Sequence, residues 1–163
     1  MGEKNFSKRL IELLLEKKKT LATAESLTGG MVASYLCDIS GASAVFQEGM
    51  ICYSERSKML RLGVSDKDLK EFSAVSEQVA YQMAKGAREG LDTDFAISTT
   101  GVAGPDDFDS DGNPKGLFFI GIATRDEVEV FRFLEQGERN EIRKKAALTA
   151  IELLYQKVIS LSE

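Results

Sequence analysis

Thr20-Leu21-Ala22-Thr23-Ala24-Glu25-Ser26-Leu27-Thr28-Gly29-Gly30-Met31-Val32-Ala33-Ser34-Tyr35-Leu36-Cys37 is the stretch on which the reading of this chain turns. Thr20 to Ala24 is short and β-prone, Thr28-Gly29-Gly30 is a turn signal, and Met31 to Cys37 is patterned as a helix. A strand, a turn and a helix therefore follow one another, and Ser26 falls at the strand-to-helix junction.

Before this unit, Phe6, Leu10, Leu13 and Leu14 lie near helical spacing, which predicts an opening amphipathic helix. Lys17-Lys18-Lys19 suits its negatively polarised C-terminal end. After the unit, Ile39 to Ser43 reads as a loop, and Ala44 to Tyr53 as a largely buried strand interrupted by Gly49. Ser54 is placed to cap a helix running through Lys58 to Leu62, with Gly63 just past its end. A short helix is expected over Asp66 to Phe72. A longer one opens at Ser76 and runs to Gly90, with Val79, Met83, Ala84 and Ala87 turned inward.

Asp94 to Thr100 is again β-prone, and Gly101 to Gly116 is rich in glycine, aspartate and proline. Leu117–Thr124 and Val128–Leu134 flank a turn at Arg125-Asp126-Glu127, which predicts a hairpin. From Glu138 the spacing of Ile142, Ala146, Thr149, Ala150, Leu153, Leu154 and Val158 predicts a long helix. Alternating helices and strands followed by a hairpin point to an α/β fold: a single layered domain over 1–163, with a mixed β-sheet flanked by helices and a long C-terminal helix.

With 163 residues the chain is the size of one domain, and its two prolines argue against long linkers. A net charge of -5 supplies no broad basic field, so nucleic acid is not an expected partner. No apolar run is long enough for a membrane span, and Met1 to Phe6 lacks the apolar core of a signal peptide. A cytoplasmic protein with no membrane partner is expected; the sequence leaves homo-oligomer formation open. Cys37 and Cys52 form no C-x-x-C and sit in apolar-patterned segments, so both read as reduced, buried small hydrophobes.

The chain contains no histidine, which excludes Ser-His and Cys-His catalysis and histidine metal ligation. A serine nucleophile would need another base. Lys58 can serve only if burial or a neighbouring cation such as Arg56, Arg139 or Arg143 lowers its pKa. Tyr53 can relay a proton, because a phenol both donates and accepts. Gly29 and Gly30 open a helix whose free N–H groups could hold an oxyanion or a phosphate. The plainer reading makes Ser26 or Thr28 a helix cap, Lys58 a solvated amine and Tyr53 a packing residue. Ser98-Thr99-Thr100-Gly101-Val102-Ala103-Gly104-Pro105 is a strand running into a glycine turn, where α/β sheets commonly bind ligands, and Arg139 and Arg143 share a helix face and could clamp a phosphate.

Taken in order, Thr23 to Gly30, Gly49 to Lys58, Gly63 to Leu69, Ala74 to Val79, Thr100 to Pro105 and Gly137 to Arg143 carry a set of motifs that resembles the CinA C-terminal domain family. The resemblance runs from about Leu21 to Leu154. It implies a nicotinamide mononucleotide amidohydrolase: a small nucleotide substrate, no cofactor and no metal. By the same resemblance Ser26 is the nucleophile, Lys58 its base and Tyr53 the proton relay, with Thr28, Gly29, Gly30, Thr100, Gly101 and Gly104 lining the substrate site. Arg139 and Arg143 are then candidates for phosphate recognition.

The chain departs from the family pattern in three places: Leu27 stands where cysteine is usual, Phe72-Ser73 where His-Gly is frequent, and the loop after Pro105 is acidic. Asp106, Asp107, Asp109 and Asp111 would repel a phosphate if they faced the site. Longer relatives carry an additional N-terminal domain, so a stand-alone amidase is expected. Three other readings compete. Asp107 to Gly112 matches the first half of an EF-hand calcium loop but lacks its closing glutamate, and the chain could be a non-catalytic nucleotide-binding or interaction protein, or an amidase for another small substrate.

Overall fold

The computed structural model describes residues 5–163; the Met1–Lys4 part of the N-terminal reading lies outside them. The parallel half of the sheet is made by β1 (Leu21–Glu25), β2 (Phe46–Ile51) and β3 (Phe95–Gly101). The hairpin of β4 (Leu117–Ala123) and β5 (Val128–Leu134) adds two antiparallel strands, in the order β2-β1-β3-β4-β5. The mixed sheet expected from the sequence is present.

Alternation along the strands sorts the core onto two faces. Leu21, Phe95, Ile97, Phe118, Ile120 and Ile122 pack with α1 (Asn5–Lys17), α2 (Met31–Cys37) and α6 (Arg139–Ser160). Ala22, Ala24, Ala96 and Ala123 face α3 (Glu55–Leu62), α4 (Asp66–Phe72) and α5 (Glu77–Leu91). The small residues on this second face let α5 lie close to the sheet. Gly86 extends that economy of space, since a Cβ there would sit 2.0 Å from the Leu62 carbonyl oxygen of α3.

Local signals account for the element ends. Ser54, Ser65 and Ser76 each accept a hydrogen bond from the amide three residues on, capping α3, α4 and α5, and Gly63 closes α3 in the left-handed conformation. Two sequence expectations change. Phe46 to Ile51 is an edge strand with Gln47, Glu48 and Gly49 exposed, because β1 is its sheet neighbour on one side and none lies on the other. Cys37 is exposed while Cys52 is buried: α2 turns Val32 and Leu36 to the core, and the next residue lies about 100° further round the helix.

The chain leaves β1 through α2 to reach β2 on one side, and returns through α3, α4 and α5 to β3 on the other. The carboxyl ends of β1 and β3 therefore flank a crevice where the connections diverge, the usual ligand position in an open α/β sheet.

Candidate active site

Ser26 directly follows β1, and its backbone N–H donates to Thr99 O at 3.0 Å, so the sheet ladder continues as far as this residue. On the other side of β1, Cys52 N–H donates to Glu25 O at 2.9 Å, which carries β2 to the same level. Lys58 lies in the first turn of α3. Side chains of a helix lean toward its N-terminus, so this amine folds back over the end of β2. Its Nζ lies 2.9 Å from Ser26 Oγ, 2.9 Å from Cys52 O and 3.3 Å from Tyr53 O. Lys58 is 2% exposed and Ser26 8%.

Burial lowers the Lys58 pKa from its ordinary 10.5, and the field of Cys52 and Glu55 opposes the shift without reversing it. Burial, of the two causes the sequence allowed, is the operative one. The surrounding acceptors also orient the amine. Carbonyl oxygens can only accept, so the two N–H bonds of a neutral amine go to Cys52 O and Tyr53 O. The lone pair is then directed at the Ser26 hydroxyl.

Around this pair opens a cleft of about 340 Å³, lined by Tyr53, Ala74, Val75, the Thr100–Asp106 turn, Phe108, Asp109 and Arg139. Thr100, Gly101 and Gly104 are thus brought to Ser26 and Lys58. Tyr53 reaches the cleft with its phenol outward, where the hydroxyl meets Arg139 Nη2 at 3.3 Å. Arg139 also donates to Gly104 O. The acidic loop is partly turned on itself, because Asp109 accepts from the Asp111 and Asn113 amides and from Asn113 Nδ2. Among the described residues no cluster of acidic or cysteine side chains could hold a metal ion, so the half EF-hand match does not assemble.

The glycines at the start of α2 serve a different end from the one expected. Gly30 N–H, Val32 N–H and Ala33 N–H donate to the carboxylate of Glu25, which is 1% exposed, and Gly29 N–H donates to Ser26 O. Glu25 thus occupies the positive end of the helix that the sequence left free for a ligand. Thr28 Oγ1–H donates to the same carboxylate at 2.6 Å and lies 2.7 Å from Thr99 Oγ1. Since Thr28 gives its proton to Glu25, Thr99 must donate to Thr28, and Thr99 Oγ1 in turn accepts from Ser26 N–H at 3.3 Å. A chain of fixed polarity ties the Ser26 backbone to a buried anion. Glu25 and Thr99 lie in segments that the sequence marks out, but it gives neither a role of its own; the available signal is a carboxylate closing a β-prone run.

Arg143 is held away from the cleft. Its Nε donates to Leu27 O at 2.8 Å and its Nη2 to Thr28 O at 3.2 Å, so it clasps the turn that carries Ser26. Gly29 adopts φ +56, and a Cβ there would lie 2.9 Å from the Arg143 guanidinium. Arg139 and Arg143 leave one helix but grip two different loops. The Leu27 amide, adjacent to Ser26, donates to no acceptor among the described residues, and Leu27 lines the cleft.

The family model of the CinA C-terminal domain matches residues 3–158. The chain is 43% identical over 148 residues to a CinA-like protein of Endomicrobium trichonymphae, covering 91% of this chain and 34% of that protein. It is 38% identical over 164 residues to a CinA-like protein of Kosmotoga olearia, covering 99% and 39%. The chain therefore spans well under half the length of these relatives. Among solved structures, the competence/damage inducible protein CihA of Agrobacterium tumefaciens superposes with a TM-score of 0.91 at 34% identity, covering 100% of this chain and 98% of that one. The competence or damage-inducible protein of Enterobacter asburiae gives 0.93 at 30% identity, covering 97% and 99%. Sequence and fold agree along nearly the whole chain, and the protein belongs to the CinA C-terminal domain family.

Proposed function

We propose that the protein is a cytoplasmic amidohydrolase that converts nicotinamide mononucleotide to nicotinic acid mononucleotide and ammonia. The observation that carries this reading is the buried 2.9 Å contact between Lys58 Nζ and Ser26 Oγ, with burial lowering the amine's pKa. A serine needs a base to become a nucleophile, and a lysine freed of its proton is one.

In this reading Ser26 Oγ attacks the carboxamide carbon as its proton passes to Lys58 Nζ. The oxyanion forms beside the free Leu27 amide, a donor of the kind that stabilises such charge. Lys58 returns the proton to the departing nitrogen, ammonia leaves, and an ester of Ser26 remains. Water then attacks the ester with Lys58 again as base, the acid departs, and the Ser26 hydroxyl is restored. Arg139 is the phosphate ligand. A phosphate engaging its guanidinium competes with the Tyr53 hydroxyl, and this frees the phenol to relay a proton at the leaving group. Arg143 acts indirectly, by holding the turn. The partner is a small nucleotide, with no part for nucleic acid or membrane; among the described residues no helix is long and apolar enough to cross a membrane.

Incubation with nicotinamide mononucleotide, followed by measurement of ammonia and the deamidated product, tests the reading. Saturable binding without turnover by well-folded protein would favour a binding module. One feature favours a second substrate: Asp106 shares the cleft with Arg139 and opposes a dianionic phosphate. A panel including the uncharged-tail analogue nicotinamide riboside separates the two amidase readings.

A further inference from the structure

The cleft has two facing rims. Ala74 and Val75, between α4 and α5, form one; Asp106, Phe108 and Asp109, on the acidic loop, form the other. A side-chain hydrogen bond joins them across 40 residues of sequence: Asn113 Nδ2 donates to Ser73 Oγ at 3.0 Å.

Both ends of this bond are firmly seated. Asn113 donates its backbone N–H to Asp109 Oδ1 at 2.7 Å and its amide to Asp109 Oδ2 at 2.9 Å, and Phe108 pairs with Pro114 as an isolated bridge. The loop is thereby cross-braced, and it carries Phe108, 62% exposed, at the bridge that closes it. On the other rim Ser73 Oγ also accepts from Val75 N–H at 3.0 Å, Ser73 O accepts from Ser76 Oγ at 2.9 Å, and Ala74 O accepts from Thr100 Oγ1 at 2.7 Å. Ser73 itself has φ 74 and ψ 159, a conformation natural to glycine and costly for any residue with a Cβ. Such strain persists only where the surroundings over-determine it. Here a strained residue supplies the hydroxyl that accepts from both rims.

We propose that Ser73 is a specificity-determining positioning residue: its hydroxyl, through Asn113, fixes the acidic loop across the cleft and so sets where Phe108 and Asp106 stand against the substrate's ribosyl and phosphate groups. The proposal rests on the amidase reading for the identity of the substrate. It does not rest on that reading for the effect on the loop.

Three variants separate the hydroxyl from the backbone. Ser73→Ala removes the hydroxyl and keeps the strained Cβ, Ser73→Gly removes both, and Asn113→Ala removes the donor. Each should raise KM for nicotinamide mononucleotide about three- to tenfold, the scale of one lost hydrogen bond, with kcat within about twofold of the parent. The preference between the mononucleotide and nicotinamide riboside should shift by a similar factor, and hydrogen exchange over residues 106–113 should quicken. Ser73→Gly should melt about 2–4 °C above Ser73→Ala, since the alanine alone retains the strain. The double variant Ser73→Ala with Asn113→Ala should be no worse than either single one.

Unchanged loop exchange in Ser73→Ala, or an equal loss on every substrate, overturns the proposal. If the unaltered protein releases no ammonia from nicotinamide mononucleotide, the amidase reading fails and the latch is judged on exchange alone: faster exchange over 106–113 supports it, and unchanged exchange overturns it.

Discussion

At the amino-terminal ends of β1 and β3, Asp94 accepts from the Thr20 amide at 2.9 Å and meets Arg125 Nε at 3.1 Å and Lys19 Nζ at 3.4 Å. At the carboxyl ends of the same strands, Lys58 and Glu25 are both buried and neither has a salt-bridge partner among the described residues. Each is satisfied by neutral groups instead: Lys58 by a hydroxyl and two carbonyls, Glu25 by three amides and a hydroxyl. A carboxylate beside Lys58 would hold it protonated. Opposite charges at one end secure the fold, and their separation at the other leaves an amine able to lose its proton.

The largest effect should come from breaking the reactive pair itself. Ser26→Ala and Lys58→Ala should each lower kcat/KM by about 10⁴-fold or more while circular dichroism stays that of the parent. Lys58→Arg should not rescue, because a guanidinium keeps its proton. Near-normal turnover in any of the three would remove the assigned roles.

Next comes the buried anion. Glu25→Ala leaves the Gly30, Val32 and Ala33 amides and the Thr28 hydroxyl without their acceptor and should cost about 3 kcal/mol in urea denaturation. A loss below about 1 kcal/mol would mean that water replaces the carboxylate readily.

A smaller effect, with a definite sign, concerns pH. The folded pKa of Lys58 lies below 10.5, the value it regains on unfolding, so between the two the unfolded chain binds more protons and stability rises with pH. Compared with the parent, Lys58→Met should therefore gain most at low pH, and the difference should shrink as pH approaches 10.5. The ascending limb of kcat/KM against pH should likewise fall below the ordinary lysine value; a limb at 10.5 would place the base elsewhere.

The smallest effect belongs to the paired end. Burial raises the Asp94 pKa, but the Thr20 amide, Arg125 and Lys19 outweigh it and hold the carboxyl below its ordinary 3.8. Asp94→Asn should cost about 1 kcal/mol at neutral pH. That difference should be present above 3.8 and fade as acid protonates the folded carboxyl.

Most of the layered fold was legible because its signals are local. Ser54 and Ser76 cap helices within three residues of themselves, and the period of Val79, Met83, Ala84 and Ala87 marks the buried side of α5. The edge position of β2 was not legible, since Phe46, Met50 and Ile51 have the composition of an interior strand and sheet order is a property of distant pairing. The site divides in the same way. Ser26 and Lys58 were found from strand and helix ends, and the motifs implied the turn of Thr100 to Gly104. The duties of Glu25, Arg143 and Ser73 depend on partners that only the folded chain supplies, and the outward set of the Tyr53 phenol follows from Arg139, 86 residues away.

Arg143 lies 116 residues beyond the Leu27 carbonyl it holds. A ribosome therefore delivers Ser26 early and its brace late, and the turn bearing Ser26 stays unclasped until α6 has emerged and docked. Chains that still lack α6 would carry the serine, the lysine and the sheet without a clasp on the turn between them, so the Ser26 turn should become fixed only once α6 has been made.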